Sequence, residues 1–185
     1  MGIVENLRIY RSEKLNGLAK LLVKAGINAN HITALSFLAG LVTAYFLFVD
    51  YYLFAIFALL HLCLDALDGV VARITKSTLL GKYFDLLSDN TVALLVLVKV
   101  GFYLQDHYAY LAAGLFLLAL VIHLVSKLQS PITFIRTASV IVLVVATHPW
   151  FSFSTMLLTA GYLTAGGISV FSLARQLQWY VERKH

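Results

Sequence analysis

The sequence has few charged residues for its length. Only 12% of its 185 residues are Asp, Glu, Lys or Arg, whereas 61% are hydrophobic. An average soluble domain carries about twice that share of charge, so the composition excludes an ordinary water-soluble protein. Apolar segments recur between residues 32 and 171, and most approach the ~20 residues that a helix needs to cross a bilayer. We therefore expect an all-α integral membrane protein.

Cysteine and signal-peptide features are also scarce. Cys63 is the one cysteine, which excludes a disulfide framework, and its apolar surroundings indicate a packing residue. Charged residues such as Glu5, Arg8 and Arg11 interrupt the first segment, so it does not resemble a secretory signal.

Turns and polar loops divide the apolar sequence into six predicted transmembrane helices. These spans cover residues 31–49, 53–72, 81–103, 108–125, 131–147 and 153–171. Before them, apolar residues at helical spacing alternate with Lys and Arg, which predicts an amphipathic helix on the membrane surface or packed on the protein body. The predicted organisation is an interfacial helix and linker (1–30), a six-helix transmembrane domain (31–172) and a cytoplasmic polar tail (173–185).

The distribution of positive charge predicts the orientation in the membrane. With six spans, all of the fourteen Lys and Arg residues except Lys99 fall on one side. Lys99 lies near the far end of the third span, from which its long side chain can reach outward. Because positive loops stay on the cytoplasmic side, we expect both termini there. The net charge of +5 then follows from topology, and no nucleic-acid partner is expected.

Four of the nine acidic residues lie in one otherwise apolar stretch. Asp65 and Asp68 share one face of the second span, and Asp85 and Asp89 share one face of the third. The two spans are joined by a short loop, so we expect antiparallel neighbours. The helical rise places Asp68 and Asp85 about 6–7 Å, and Asp65 and Asp89 about 12 Å, from the cytoplasmic ends. Asp68 should therefore face Asp85, and Asp65 should face Asp89.

Four carboxylates at similar depths repel one another and are costly to desolvate. Divalent cations relieve both problems, and carboxylate oxygens suit Mg²⁺ or Mn²⁺. Two such ions can share ligands and assist phosphoryl transfer. Gly69 and Gly81 would let a ligand approach the backbone, and Arg73, with Lys76 and Thr78 nearby, could bind a diphosphate. These residues favour a metal-dependent phosphate enzyme and leave a cation or proton transporter as the alternative.

The same residues resemble the signature of the CDP-alcohol phosphotransferase family. The matching segments are Asp65-x2-Asp68-Gly69-x2-Ala72-Arg73 and Gly81-x3-Asp85-x3-Asp89. Seven residues separate them, where the family usually has eight. Asn30-His31-Ile32-Thr33 is similar to the family's Pro-Asn-x-x-Thr at the start of the first span, with Ala29 in place of proline.

This resemblance implies an enzyme of phospholipid biosynthesis. It would transfer the phosphatidyl-type group of a CDP-linked lipid to the hydroxyl of a small polar alcohol and release CMP. Asp65 and Asp85 would bridge two Mg²⁺ or Mn²⁺ ions, while Asp68 would bind the first and Asp89 the second. Asp89 would also be the catalytic base. Residues in contact with the CDP-lipid would be Asn30, Thr33, Asp65, Gly69, Arg73 and Thr78. Members of the family are commonly homodimers, so a homodimer is expected.

The acceptor alcohol is indicated by basic residues at the predicted cytoplasmic ends of the later spans. These residues are Lys127, Arg136 and Arg175. Members of the family that use phosphorylated polyols carry basic side chains in comparable places, and Arg suits phosphate. Glycerol phosphate or inositol phosphate is therefore favoured over serine. The same charges would also follow from topology alone.

Overall fold

The computed structural model describes residues 3–75, 78–133, 136–150 and 154–183. Over these ranges the chain forms helices and no strand, which confirms the predicted all-α class. The helices are α1 (Ile3–Lys24), α2 (Ala29–Phe46), α3 (Tyr51–Thr75), α4 (Leu79–Leu104), α5 (His107–Val125), α6 (Arg136–Ala146) and α7 (Ser154–Glu182).

Within the described ranges, five helices are long and apolar enough to cross a membrane. They are α2, α3, α4, α5 and Thr155–Glu182 of α7, and they correspond to the predicted spans 1, 2, 3, 4 and 6. The described α6 has 11 residues, fewer than a bilayer crossing needs, and residues 134 and 135 before it lie outside the described part. The fifth predicted span, and with it the total of six, therefore stays a prediction.

The helix α7 is longer than the sixth predicted span. It continues through Glu182, so most of the predicted polar tail (173–185) is helical and extends a membrane-spanning segment. Residues 184 and 185 lie outside the described part of the chain. The cytoplasmic position of this segment stays a prediction.

The chain divides into two compact units. Unit 1 comprises Met1–Thr43 and Ala55–Asp89, and unit 2 comprises Ala44–Phe54 and Asn90–His185. The apolar core of unit 1 joins Ala19 of α1 to Ile32 of α2 and to Val70 and Val71 of α3. The second half of α1 thus packs on α2 and α3. The amphipathic, interfacial position of this helix stays a prediction.

The start of α2 is held by contacts between Asn28 and His31. The helix begins at Ala29, and Asn28 precedes it. The backbone carbonyl of Asn28 accepts from the backbone amide of His31 (3.1 Å). In return, Nδ1 of the His31 ring accepts from the backbone amide of Asn28 (3.4 Å). This reciprocal arrangement satisfies polar groups at the helix start. Asn30 therefore lies inside the first turn, where its side chain is available for another contact.

In unit 2, α5 and α7 pack side by side and run in the same direction. A Cβ added to Gly166 of α7 would lie 3.2 Å from the Cβ of Ala112 on α5, so these two small residues permit a close approach of the helices. Further along, the buried Gln176 donates its Nε2 to the carbonyl of Ala119 (3.0 Å). These two contacts tie α7 to α5.

Asp106 closes the turn between α4 and α5. Its carboxylate accepts from the Tyr108 amide (2.9 Å), which caps α5. It also accepts from the Tyr162 hydroxyl of α7. The hydrogen bond from Tyr162, with that from Tyr108, lowers the pKa of Asp106. The ionised form that makes both contacts is therefore kept at neutral pH and is lost only as the pH falls through this lowered pKa.

Lys99 of α4 binds the end of α2. Its Nζ donates to the carbonyl of Ala44 (2.8 Å) and to that of Tyr45. The last carbonyls of a helix have no partner within the helix, and a positive charge there is favourable. The predicted outward reach of Lys99 thus has a specific target, the carboxyl end of a neighbouring helix.

Replacement of Lys99 by Met should lower the free energy of unfolding by about 1 kcal/mol, because the apolar stem remains while the donors to α2 are lost. Thermal unfolding of the purified protein in detergent measures this change. Lys20→Met, at an exposed position on α1, is the matched control and should leave the midpoint unchanged. Equal midpoints for the two variants would contradict the role of Lys99.

Candidate metal centre

Three carboxylates from α3 and α4 converge in unit 1. Among the described residues, Asp65, Asp68 and Asp85 each offer an oxygen, and these oxygens lie within 4.8 Å of one another. Asp65 and Asp68 come from one face of α3, and Asp85 comes from α4. The predicted approach of acids on the two helices is confirmed for these three residues. Such a donor set fits a hard divalent cation.

Asp68 is the most enclosed of the three, with 4% of its surface exposed. Asp65 and Asp85 are half-buried. Thr33 of α2, which is also buried, donates its hydroxyl to Oδ2 of Asp68 at 2.8 Å. A hydroxyl orients a carboxylate but brings no positive charge. The hydrogen bond therefore fixes Asp68 in place while the repulsion among the three carboxylates persists.

Asp89 lies one turn beyond Asp85 on α4 and is half-buried. Its carboxylate is outside the close group that the described residues form. Spacing along α4 puts Asp89 on the same face as Asp85, which agrees with the predicted face. The expected pairing of Asp89 with Asp65, and its roles as ligand and base, stay predictions.

The first turn of α4 is built around Gly81. The Gly81 amide donates to Oγ1 of Thr78 (3.1 Å), so Thr78 caps α4. A Cβ at Gly81 would lie 2.9 Å from Oδ1 of Asn30 and 3.3 Å from Oγ1 of Thr78. The sequence predicted that the missing side chain admits a ligand. In the structure it admits the side chain of Asn30, which brings α2 against the start of α4.

The residues predicted to contact a CDP-lipid are partly brought together. Thr33 touches Asp68, and Asn30 and Thr78 both lie against Gly81. Gly69 follows Asp68 on α3, and Arg73 is exposed in the last turn of that helix. Ser77 and Lys76, in the loop that follows, lie outside the described residues. The contacts of this group with a nucleotide stay predictions.

The residues predicted to bind the acceptor belong to unit 2, whereas the carboxylates belong to unit 1. Lys127 is exposed in the turn after α5, where its backbone is left-handed with φ 56°. Arg175 is exposed on α7, with its guanidinium 5.9 Å from the centroid of the Phe171 ring. Arg136 is the first residue of α6. Their role in acceptor binding stays a prediction.

Sequence reasoning missed two buried polar residues near the acids, Ser36 of α2 and His61 of α3. They bind each other at 3.0 Å. A signal was present, since an ionisable residue within a membrane span is expensive and often functional.

The apolar helices define a membrane protein, and its carboxylate group could hold a divalent cation. Comparison with known families makes this more specific, because the profile of the CDP-alcohol phosphatidyltransferase family matches residues 27–167. The chain belongs to this family, which is metal-dependent and supplies transferases of phospholipid synthesis. The matched range contains all four acids. No match is found among curated proteins or solved structures.

Gly81→Ala should lower the rate of CMP release about tenfold, because displacement of Asn30 disturbs residues beside the carboxylates. The thermal midpoint should change little, since the end of a flexible side chain can move away. Gly114→Ala is the matched control: a Cβ there meets nothing within 4 Å, and activity should be retained. Full activity of Gly81→Ala would show that the position of Asn30 is unimportant.

Proposed function

We propose that this protein transfers the phosphatidyl-type group of a CDP-linked lipid to the hydroxyl of a small polar alcohol and releases CMP. The observation that carries the proposal is the group of Asp65, Asp68 and Asp85, with oxygens within 4.8 Å, inside the range that matches the family. Acids are expensive within membrane helices unless a partner compensates them. Family membership favours the transferase over a cation or proton transporter.

Asp65, Asp68, Asp85 and Asp89 would hold two Mg²⁺ or Mn²⁺ ions. The first three form the observed group, and Asp89 follows Asp85 by one helical turn. Bound divalent cations would neutralise charge on the diphosphate and on the carboxylates. The chain itself supplies orientation: Thr33 holds Asp68 through its hydroxyl, so this ligand has a fixed direction before substrate arrives.

The reaction is a displacement at the phosphorus that carries the lipid. The acceptor oxygen forms a bond to this phosphorus, and the bond from the phosphorus to the CMP oxygen breaks. The acceptor proton passes to Asp89, acting as general base. Arg73 is exposed at the end of α3, where its guanidinium could bind phosphate oxygens of the nucleotide. Other proposed CDP-lipid contacts are Asn30, Thr33, Gly69 and Thr78.

We place this site at the cytoplasmic boundary, with both termini in the cytoplasm. Support comes from the concentration of Lys and Arg in the segments on that side of the predicted topology. A water-soluble acceptor could then reach Asp89 while the lipid tails remain in the bilayer. Family resemblance also supports a homodimer.

A phosphorylated polyol is the proposed acceptor, with serine as the second choice. Lys127 and Arg175 are exposed, and Arg136 begins α6. Basic side chains, Arg above all, bind phosphate through charge-assisted hydrogen bonds. Glycerol phosphate and inositol phosphate both carry a phosphate group beside a free hydroxyl, whereas serine carries no phosphate.

The proposed function is tested by following CMP release from a CDP-lipid with purified protein. Glycerol phosphate, inositol phosphate and serine are supplied in turn. We expect CMP release that requires Mg²⁺ or Mn²⁺, stops with a chelator and is fastest with a phosphorylated polyol. Cation or proton transport in vesicles, with no CMP formed from any of the three acceptors, would overturn the enzyme assignment.

Asp89→Asn should reduce CMP release at least about a hundredfold, the usual range for loss of a general base. Binding of the CDP-lipid should be largely retained, which equilibrium binding of a labelled CDP-lipid can measure. Asp50→Asn is the matched control, because Asn can still cap α3 where Asp50 now accepts from the Leu53 amide. Equal losses of binding and turnover would indicate that Asp89 acts mainly as a metal ligand.

A further inference from the structure

Ser36 of α2 and His61 of α3 form a reciprocal pair in unit 1. Both are buried, with 2% and 1% of their surfaces exposed. Nδ1 of His61 lies 2.9 Å from the carbonyl oxygen of Ser36 and 3.0 Å from its hydroxyl. The Ser36 hydroxyl lies 3.2 Å from the carbonyl oxygen of His61. The side chain of each residue thus contacts both the side chain and the backbone carbonyl of the other.

The three contacts are compatible with a single arrangement of protons. A carbonyl oxygen can only accept, so Nδ1 of His61 carries the proton that points to Ser36. The Ser36 hydroxyl, in turn, donates to the carbonyl of His61 and accepts from Nδ1. The pair therefore places a proton on Nδ1 of His61 and fixes the direction of its ring.

The position of this pair relative to the acids is the important feature. His61 precedes Asp65 by four residues and Asp68 by seven, so the three share one face of α3. Thr33 and Ser36 lie one turn apart on α2 and bind Asp68 and His61, respectively. Asp65 therefore lies between two positions at which α3 is hydrogen-bonded to α2. Rotation of α3, or sliding along α2, would break at least one of them.

We propose that Ser36 and His61 are positioning residues for the metal centre. Their pair, together with Thr33 and Asp68, holds α3 at the rotation that directs Asp65 and Asp68 towards Asp85. Repulsion among the carboxylates favours rotation away from this arrangement. Apolar packing tolerates such rotation, whereas a hydrogen-bonded pair between membrane helices fixes the rotation of each helix. This inference rests on the proposed function, in that the three acids bind a divalent cation.

The test measures the affinity of Mn²⁺ alone for the purified, substrate-free protein, by electron paramagnetic resonance. His61→Phe keeps the ring but removes all donors, and should weaken Mn²⁺ binding about tenfold, as expected for loss of several buried hydrogen bonds. His61→Asn places an amide donor near the position of Nδ1 and should restore most of the affinity. Ser36→Ala keeps the carbonyl acceptor and should weaken binding about threefold.

Thr43→Val is the matched control on the same helix. Thr43 is as buried as Ser36, with 3% exposed, but its hydroxyl donates within α2, to the carbonyl of Ala39 (2.8 Å). Mn²⁺ affinity should equal that of the wild type, even if the thermal midpoint falls. A purely structural role for the Ser36–His61 pair predicts lower midpoints with unchanged Mn²⁺ affinity in the His61 and Ser36 variants, and this result would overturn the proposal.

The remaining outcomes are also decisive. If His61→Phe does not fold, Ser36→Ala decides, and wild-type affinity in that variant contradicts the proposal.

Parallel CMP-release assays separate this inference from the proposed function. Weakened Mn²⁺ binding in the variants, without CMP release by the wild type, would reject the reaction but retain the positioning role. CMP release by a wild type that binds Mn²⁺, with equal affinity in all variants, would reject the positioning role alone. A wild type that binds no Mn²⁺ rejects both.

Discussion

Repulsion among carboxylates in an apolar setting is the constraint on which this structure depends. Asp65, Asp68 and Asp85 bring oxygens within 4.8 Å of one another, although carboxylates at such distances repel. The surrounding helices must therefore hold the acids together against their own repulsion. Contacts from α2 serve this purpose, since Thr33 binds Asp68 and Ser36 binds His61. The three carboxylates are therefore held in their arrangement by contacts from a neighbouring helix.

Polar side chains in this protein repeatedly satisfy the ends of helices. Thr78 caps α4, Asp106 caps α5, and Lys99 binds the last carbonyls of α2. Unpaired backbone groups are especially costly where water is scarce, so each cap stabilises the chain and fixes where a helix begins or ends. At α4 this local requirement meets the site, because Thr78 and Asn30 both lie against Gly81. Residues of the family signature thus take part in helix capping and packing.

Much of the fold and part of the site were predictable from the sequence. Five predicted spans coincide with described helices, since a long apolar run has few alternatives in a membrane. Spacing also predicted that Asp65 and Asp68 share a face and that Asp68 approaches Asp85. It did not predict that Asn30 would fill the space beside Gly81, or that His61 would bind Ser36. Helical spacing shows which residues share a face, but not which neighbouring side chain meets that face.

The sequence by itself determined the membrane class, the family and the helix faces that carry the acids. These properties are encoded locally, in apolar length, in a periodicity of 3.6 residues per turn and in a compact motif. Only the tertiary structure decided the partners of those faces. Thr33 meets Asp68 across 35 residues of sequence, and Ser36 meets His61 across 25. Such pairs depend on the rotation and register of whole helices, which packing among several helices sets together.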